Sequence, residues 1–88
     1  MKIVYSKKFV KEYKKLSKKV RDKVDETIKQ LPTEVTSLRN SGMGIKKMVN
    51  HKNIYETRVD IHNRITFHKE GKRLVLRRVG GHGIYKNP

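Results

Sequence analysis

Five side chains in the second half of the chain carry chemistry: Glu56 and Arg58 in Tyr-Glu-Thr-Arg, Arg64 in Arg-Ile-Thr-Phe-His, and His82 and Tyr85 in Gly-Gly-His-Gly-Ile-Tyr. Together they are the parts needed to cleave RNA without a metal. In that reaction the ribose 2′-hydroxyl attacks the neighbouring phosphate. It is helped by a base at the hydroxyl, cations on the phosphorane and an acid at the leaving 5′-oxygen. Histidine suits the acid or the base because its pKa lies near neutrality. Arginine suits the phosphate through its planar fork and permanent charge. Tyrosine stacks on a base or donates a hydrogen bond, and Glu56 is a second candidate base. Gly80, Gly81 and Gly83 let the backbone around His82 turn sharply and approach a ligand. Taken singly, each residue has a plainer reading: the arginines as solvated strand residues, His82 as a turn residue, and Glu56 as the partner of a strand arginine.

The elements that must position these residues are legible in the hydrophobic pattern. Lys2 to Tyr5 is a short β-prone run. Ser6 is an N-cap for a helix whose apolar face is Phe9, Tyr13 and Leu16. Ser17 caps a second helix, with Val20, Val24, Ile28 and Leu31 at helical spacing, running to about Gln30 and stopped by Pro32. Residues 32–45 read as a loop with, at most, a helical turn. Within it Gly42, Met43 and Gly44 lack the spacing and the Gly-Lys-Ser/Thr of a phosphate loop.

From Ile45 onward the period becomes two. Lys46 to Val49 is a short candidate strand. Tyr55, Thr57, Val59 and Ile61 alternate with Glu56, Arg58 and Asp60, His62-Asn63 is a turn, and Arg64, Thr66 and His68 alternate with Ile65 and Phe67. Glu70-Gly71 marks a tight hairpin, and Leu74 to Val79 is the last strand. The expected architecture is one α+β domain over residues 1–88, with an N-terminal strand and a helical hairpin packed on a small antiparallel sheet. The helices cover one face. The other displays Glu56, Arg58, Arg64, Thr66 and His68, and a face so charged is solvent or a site.

Charge narrows the partners. The chain has 23 basic and 8 acidic residues, a net charge of +15, and the excess is spread over both halves rather than gathered in a tail. A folded domain this positive attracts polyanions: RNA, DNA or an acidic protein. Lys46, Lys47, Arg77 and Arg78 are the expected RNA-binding residues flanking the chemistry. The chain has no cysteine, which removes disulfides and thiolate metal sites and suits the cytoplasm. His51, His62, His68 and His82 form no helical ligand pair, so neither a metal nor a cofactor is expected. No apolar run approaches the roughly 18 residues of a membrane helix, and the opening residues do not read as a secretory signal.

The order of these motifs resembles the RelE/ParE superfamily of toxins from type II toxin–antitoxin modules. FVKEYKKLSKKVRDKVDETIKQLP is similar to its helical hairpin and IYETRVD to its central strand. HNRITFH is similar to the following strand, and LVLRRVGGHGIYKNP to the last strand and catalytic tail. The resemblance covers nearly the whole chain. It implies an mRNA interferase of the RelE or YafQ kind, which enters the ribosomal A site and cuts mRNA there by the 2′-hydroxyl route. It also implies an acidic antitoxin partner covering or distorting the polar face. By position, the resemblance makes Arg58 a phosphate ligand, Arg64 the stabiliser of the transition state, His82 the acid and Tyr85 the aromatic that stacks on or orients the base. Glu56 stands where RelE has a lysine, His62-Asn63 replaces the usual Gly-Asp or Gly-Tyr, and His82 and Tyr85 are three apart where some relatives space them by four. Two other functions fit the charge and fold: a ParE-like inhibitor of DNA gyrase, and a basic RNA-binding protein without catalysis.

Overall fold

The computed structural model describes residues 2–37 and 44–88. In chain order it holds β1 (Lys2–Tyr5), α1 (Lys7–Lys14), α2 (Lys18–Ser37), β2 (Lys46–Lys47), β3 (Tyr55–Arg58), β4 (Arg64–Glu70), β5 (Arg73–Gly80) and a 3-10 turn at His82–Tyr85. Five strands form one sheet in the order β1-β5-β4-β3-β2. The expected antiparallel meander is present from β2 to β5. The sheet as a whole is mixed, because β1 joins it parallel to β5, with Lys2 opposite Arg73 and Tyr5 opposite Leu76. The chain's first strand is thus held by its last. No local pattern specifies that pairing, because the paired residues, such as Lys2 and Arg73, stand far apart in the sequence.

Both helices start where their caps require. The Ser6 hydroxyl accepts from the Phe9 N–H at 3.0 Å, and Ser17 accepts from Val20 at 3.3 Å. The helices bury Phe9, Val24, Leu31 and Val35 against Ile65, Phe67, Leu74, Leu76 and Val79 of the sheet. Ile3, Tyr13, Leu16, Val20 and Ile28 pack around that core. Helix α2 does not stop at Pro32 but continues to Ser37. Proline contributes no N–H to the helical ladder. Carrying the helix on, however, places Val35 one turn beyond Leu31, where it is 2% exposed in the core. That burial outweighs the lost bond. The expected loop therefore begins later than residue 32, and the Gly42-Met43 stretch lies outside the described residues.

Strand β3 ends at Arg58, short of the expected alternation through Ile61, which is 78% exposed. The cause is Asp60, whose Oδ1 accepts from the His62 and Asn63 N–H groups, each at 2.8 Å, and from Asn63 Nδ2 at 3.0 Å. This is an Asx-type turn, and it competes successfully with the ladder. Burial works to raise the Asp60 pKa, but the His62 and Asn63 donors and the Lys23 charge outweigh it and hold the carboxyl below its usual range. The β4–β5 hairpin closes as expected, around Gly71 at φ 62°.

A bulge shapes β5. Thr66 faces Arg78 but Phe67 faces Leu76, so Arg77 is an extra residue. It reverses the alternation: Leu74, Leu76 and Val79 are all buried, while the consecutive Arg77 and Arg78 both turn away from the core. Beyond Leu76 the edge of β5 is no longer covered by β1. Ser6 and Glu12 take over there. Ser6 donates its N–H to the Leu76 carbonyl at 3.0 Å and its hydroxyl to the Arg77 carbonyl at 2.6 Å. Glu12 accepts from the Val79 N–H at 3.4 Å and pairs with Arg78 Nη2 at 2.7 Å.

Candidate active site

The register of the meander gathers the predicted residues on the face away from the helices. Arg58 stands opposite Arg64, and Glu56 opposite Thr66. Arg64 in turn stands opposite Gly80, where the chain leaves the sheet. The turn that follows folds back closely. A Cβ at Gly80 would lie 3.3 Å from Ile84 Cγ2, and one at Gly81 would lie 3.3 Å from the His62 carbonyl. Glycine at these two positions admits the close approach. Ile84, 3% exposed, anchors the turn, and Tyr85 is carried onto Glu56 beside it.

The Tyr85 hydroxyl donates to Glu56 Oε1 at 3.2 Å. The His82 ring sits over Tyr85 with centroids 5.4 Å apart and planes tilted by 52°. Burial raises the Tyr85 pKa, and the Glu56 carboxylate raises it further, against an opposing pull from Arg64. The phenol is therefore a proton donor at neutral pH. Arg64 is aimed by the turn that ends β3: its Nη1 donates to the main-chain carbonyls of Asp60 and Asn63. Arg58 is exposed, and its guanidinium has no hydrogen-bond or ion-pair partner among the described residues. A carboxylate, a phenol, an imidazole and two guanidiniums thus share one face. That set can accept a proton, donate one and bind a phosphate between cations. A groove of about 390 Å³ between Tyr5, Phe9, Val10, Tyr13 and Ile28 lies on the helical side, away from these residues.

The expected RNA-binding residues divide. Lys46 stands opposite Glu56 and so extends the row of the site, whereas Lys47 stands opposite Tyr55, whose ring stacks on Phe67 in the other layer. Arg77 and Arg78 lie on the site's face but are engaged within the protein. Arg78 is bound to Glu12 and to the Asn87 carbonyl, and the Glu12 hydrogen bonds raise its pKa. Arg77 donates to His68 Nδ1 and to the Pro88 oxygen. The sequence does not mark Glu12 or Asp60 as functional residues, although both leave a trace in it. Glu12 is the only acid in the lysine-rich α1, and Asp60 precedes Asn63 at the spacing of a side-chain turn.

No protein-family model and no curated protein sequence matches the chain. Solved structures do. The RelB–RelE antitoxin–toxin complex from Methanococcus jannaschii matches with a TM-score of 0.72 and 26% identity, over 97% of this chain and 99% of the other. The YoeB dimer from Staphylococcus aureus matches with a TM-score of 0.74 and 17% identity, over 93% and 97%. The E. coli DinJ–YafQ toxin–antitoxin complex matches with a TM-score of 0.73 and 19% identity, over 92% and 91%. The helical hairpin, the mixed sheet and the order of elements are shared along nearly the whole length: the chain's structural neighbours are the RelE, YafQ and YoeB toxins of type II toxin–antitoxin systems, and its fold is theirs.

Proposed function

We propose that the protein is the toxin of a toxin–antitoxin pair and a ribosome-dependent endoribonuclease that acts on mRNA in the cytoplasm. The observation that carries this reading is the contact of Tyr85 with Glu56, beneath His82 and beside Arg64 and Arg58. The ionised Glu56 takes the proton of the 2′-hydroxyl, and that oxygen bonds to phosphorus. Arg58 and Arg64 hold the phosphorane oxygens. The bond from phosphorus to the 5′-oxygen breaks as His82 supplies the proton, leaving a 2′,3′-cyclic phosphate and a 5′-hydroxyl. Tyr85 orients the carboxylate and offers its ring to the base. Arg58 and His82 are exposed and Glu56, Arg64 and Tyr85 half-buried beside them, an accessibility that suits a polymer laid across the sheet.

The complexes of RelE with RelB and of YafQ with DinJ are those of the structural neighbours, and the net charge of +15 suits an acidic antitoxin here. Such a partner raises the apparent stability of the toxin by mass action.

Cleavage of a defined mRNA in a reconstituted translation reaction, with cut ends mapped by primer extension, tests the proposal. The wild type gives codon-phased cuts that require ribosomes. Arg64→Ala and His82→Ala lose about 10²–10⁴-fold in cleavage rate while still binding RNA. An intact wild-type protein that leaves the message whole sinks the nuclease reading and directs the question to gyrase supercoiling.

A further inference from the structure

Residues 86–88 do not trail from the domain. After the turn bearing His82 and Tyr85 the chain runs back across the same face and is tied to it through main-chain oxygens. Thr66 Oγ1 donates to the Pro88 oxygen at 2.8 Å, and Arg77 Nε donates to the same oxygen at 3.2 Å. Arg78 Nη1 donates to the Asn87 carbonyl at 3.0 Å. Arg77 is itself held by His68, whose Nδ1 lies 2.9 Å from Nη1. A guanidinium only donates, so His68 Nδ1 accepts there. Thr66 has no exposed surface, and Pro88 is buried.

Tyr85 therefore lies between two fixed points, Ile84 in the core and Pro88 on Thr66. We propose that Thr66 and Arg77, with His68 orienting Arg77, are positioning residues. They strap the C-terminal segment to the sheet and so set where Tyr85 and His82 stand over Glu56. The bulge makes this possible. Without the extra residue, Arg77 and Arg78 would point to opposite faces and only one could reach the segment. An untied segment at the end of a strand frays. Reacting groups displaced by about 1 Å lose on the order of a hundredfold in rate. The catalytic consequence rests on the nuclease reading, but the strap itself does not.

Thr66→Val and Arg77→Lys test the strap, with Thr66→Ser as the conservative variant that keeps the hydroxyl. Amide exchange across residues 82–88, including the Ile84 N–H that bonds to the Gly81 carbonyl, reports the strap directly. Ribosome-dependent cleavage reports its consequence. Thr66→Val and Arg77→Lys speed exchange in this segment more than tenfold while the exchange of β4 stays slow. They lower kcat by roughly 10- to 100-fold with RNA affinity within twofold of wild type, and Thr66→Ser restores both. Loss of RNA affinity in Arg77→Ala that Arg77→Lys recovers, with tail exchange unchanged, would make Arg77 a phosphate contact and overturn the proposal. Unchanged exchange in Thr66→Val would overturn it equally. If the wild type cuts no message, the nuclease reading fails, and accelerated exchange still establishes the strap.

Discussion

Glu56 and Tyr85 form the smallest unit of the site, and their electrostatics are coupled. Burial and the Glu56 carboxylate both raise the Tyr85 pKa, so the phenol keeps its proton above its ordinary value of about 10. Glu56→Gln keeps the size of the side chain and removes the charge. Only the burial contribution then remains against the pull of Arg64, and the Tyr85 pKa falls. Titration of ¹³C-labelled tyrosine by NMR should show the Tyr85 signal titrating at lower pH than in the wild type, together with a loss of cleavage of about 10²–10⁴-fold. A Tyr85 titration unchanged by the substitution would mean that the contact with Glu56 is not made in solution.

The end of β5 decides how the site is built at the scale of elements. Helix α1 supplies what the sheet lacks there: Glu12 bonds the free N–H of Val79 and clamps Arg78, with the two side chains 25% and 21% exposed. A largely sheltered pair that also satisfies a backbone donor is costly to break from one side, since the remaining charge and N–H lose their partners. Glu12→Ala should lower the stability to urea by about 1–3 kcal/mol. It should also loosen Gly80 and the turn that follows, seen as faster exchange from Val79 onward. By contrast the exposed pair of Lys18 with Asp22, at 81% and 61% exposure, should contribute next to nothing when removed.

Charge acts at the scale of the whole molecule. A net charge of +15 on 88 residues attracts any polyanion, and this attraction is screened by salt. Binding to single-stranded RNA should weaken about 10- to 100-fold between 50 and 200 mM salt, in line with roughly 3–5 phosphate contacts. Filter binding over a salt series measures the slope. Arg58→Ala should shallow it by one contact because the Arg58 side chain is exposed, whereas Arg78→Ala should leave the slope unchanged because that guanidinium is bound to Glu12. A slope altered by Arg78→Ala and untouched by Arg58→Ala would reverse this assignment.

Much of this protein was legible in one dimension. Ser6 and Ser17 cap their helices because a hydroxyl beside free N–H groups needs no tertiary help. The alternation through Arg64–Glu70 orients β4, since a period of two has only two faces. A short turn between two such strands makes Arg58 and Arg64 neighbours. The end of α2 and the end of β3 were not legible. Pro32 and the alternating Ile61 are local signals, and burial of Val35 and the Asp60 turn overrode them. The parallel pairing of β1 with β5 joins the two ends of the chain, and no spacing encodes it. The roles of Arg77 and Arg78 belong to the same class. In sequence they are two interchangeable cations. Only the tertiary structure turns both to one face through a bulge and gives one to Glu12 and the other to Pro88. Local hydrogen bonds and periodicity act within a few residues and can be read directly, whereas partners more than 60 residues apart, such as Glu12 and Arg78, are chosen only when the whole chain folds.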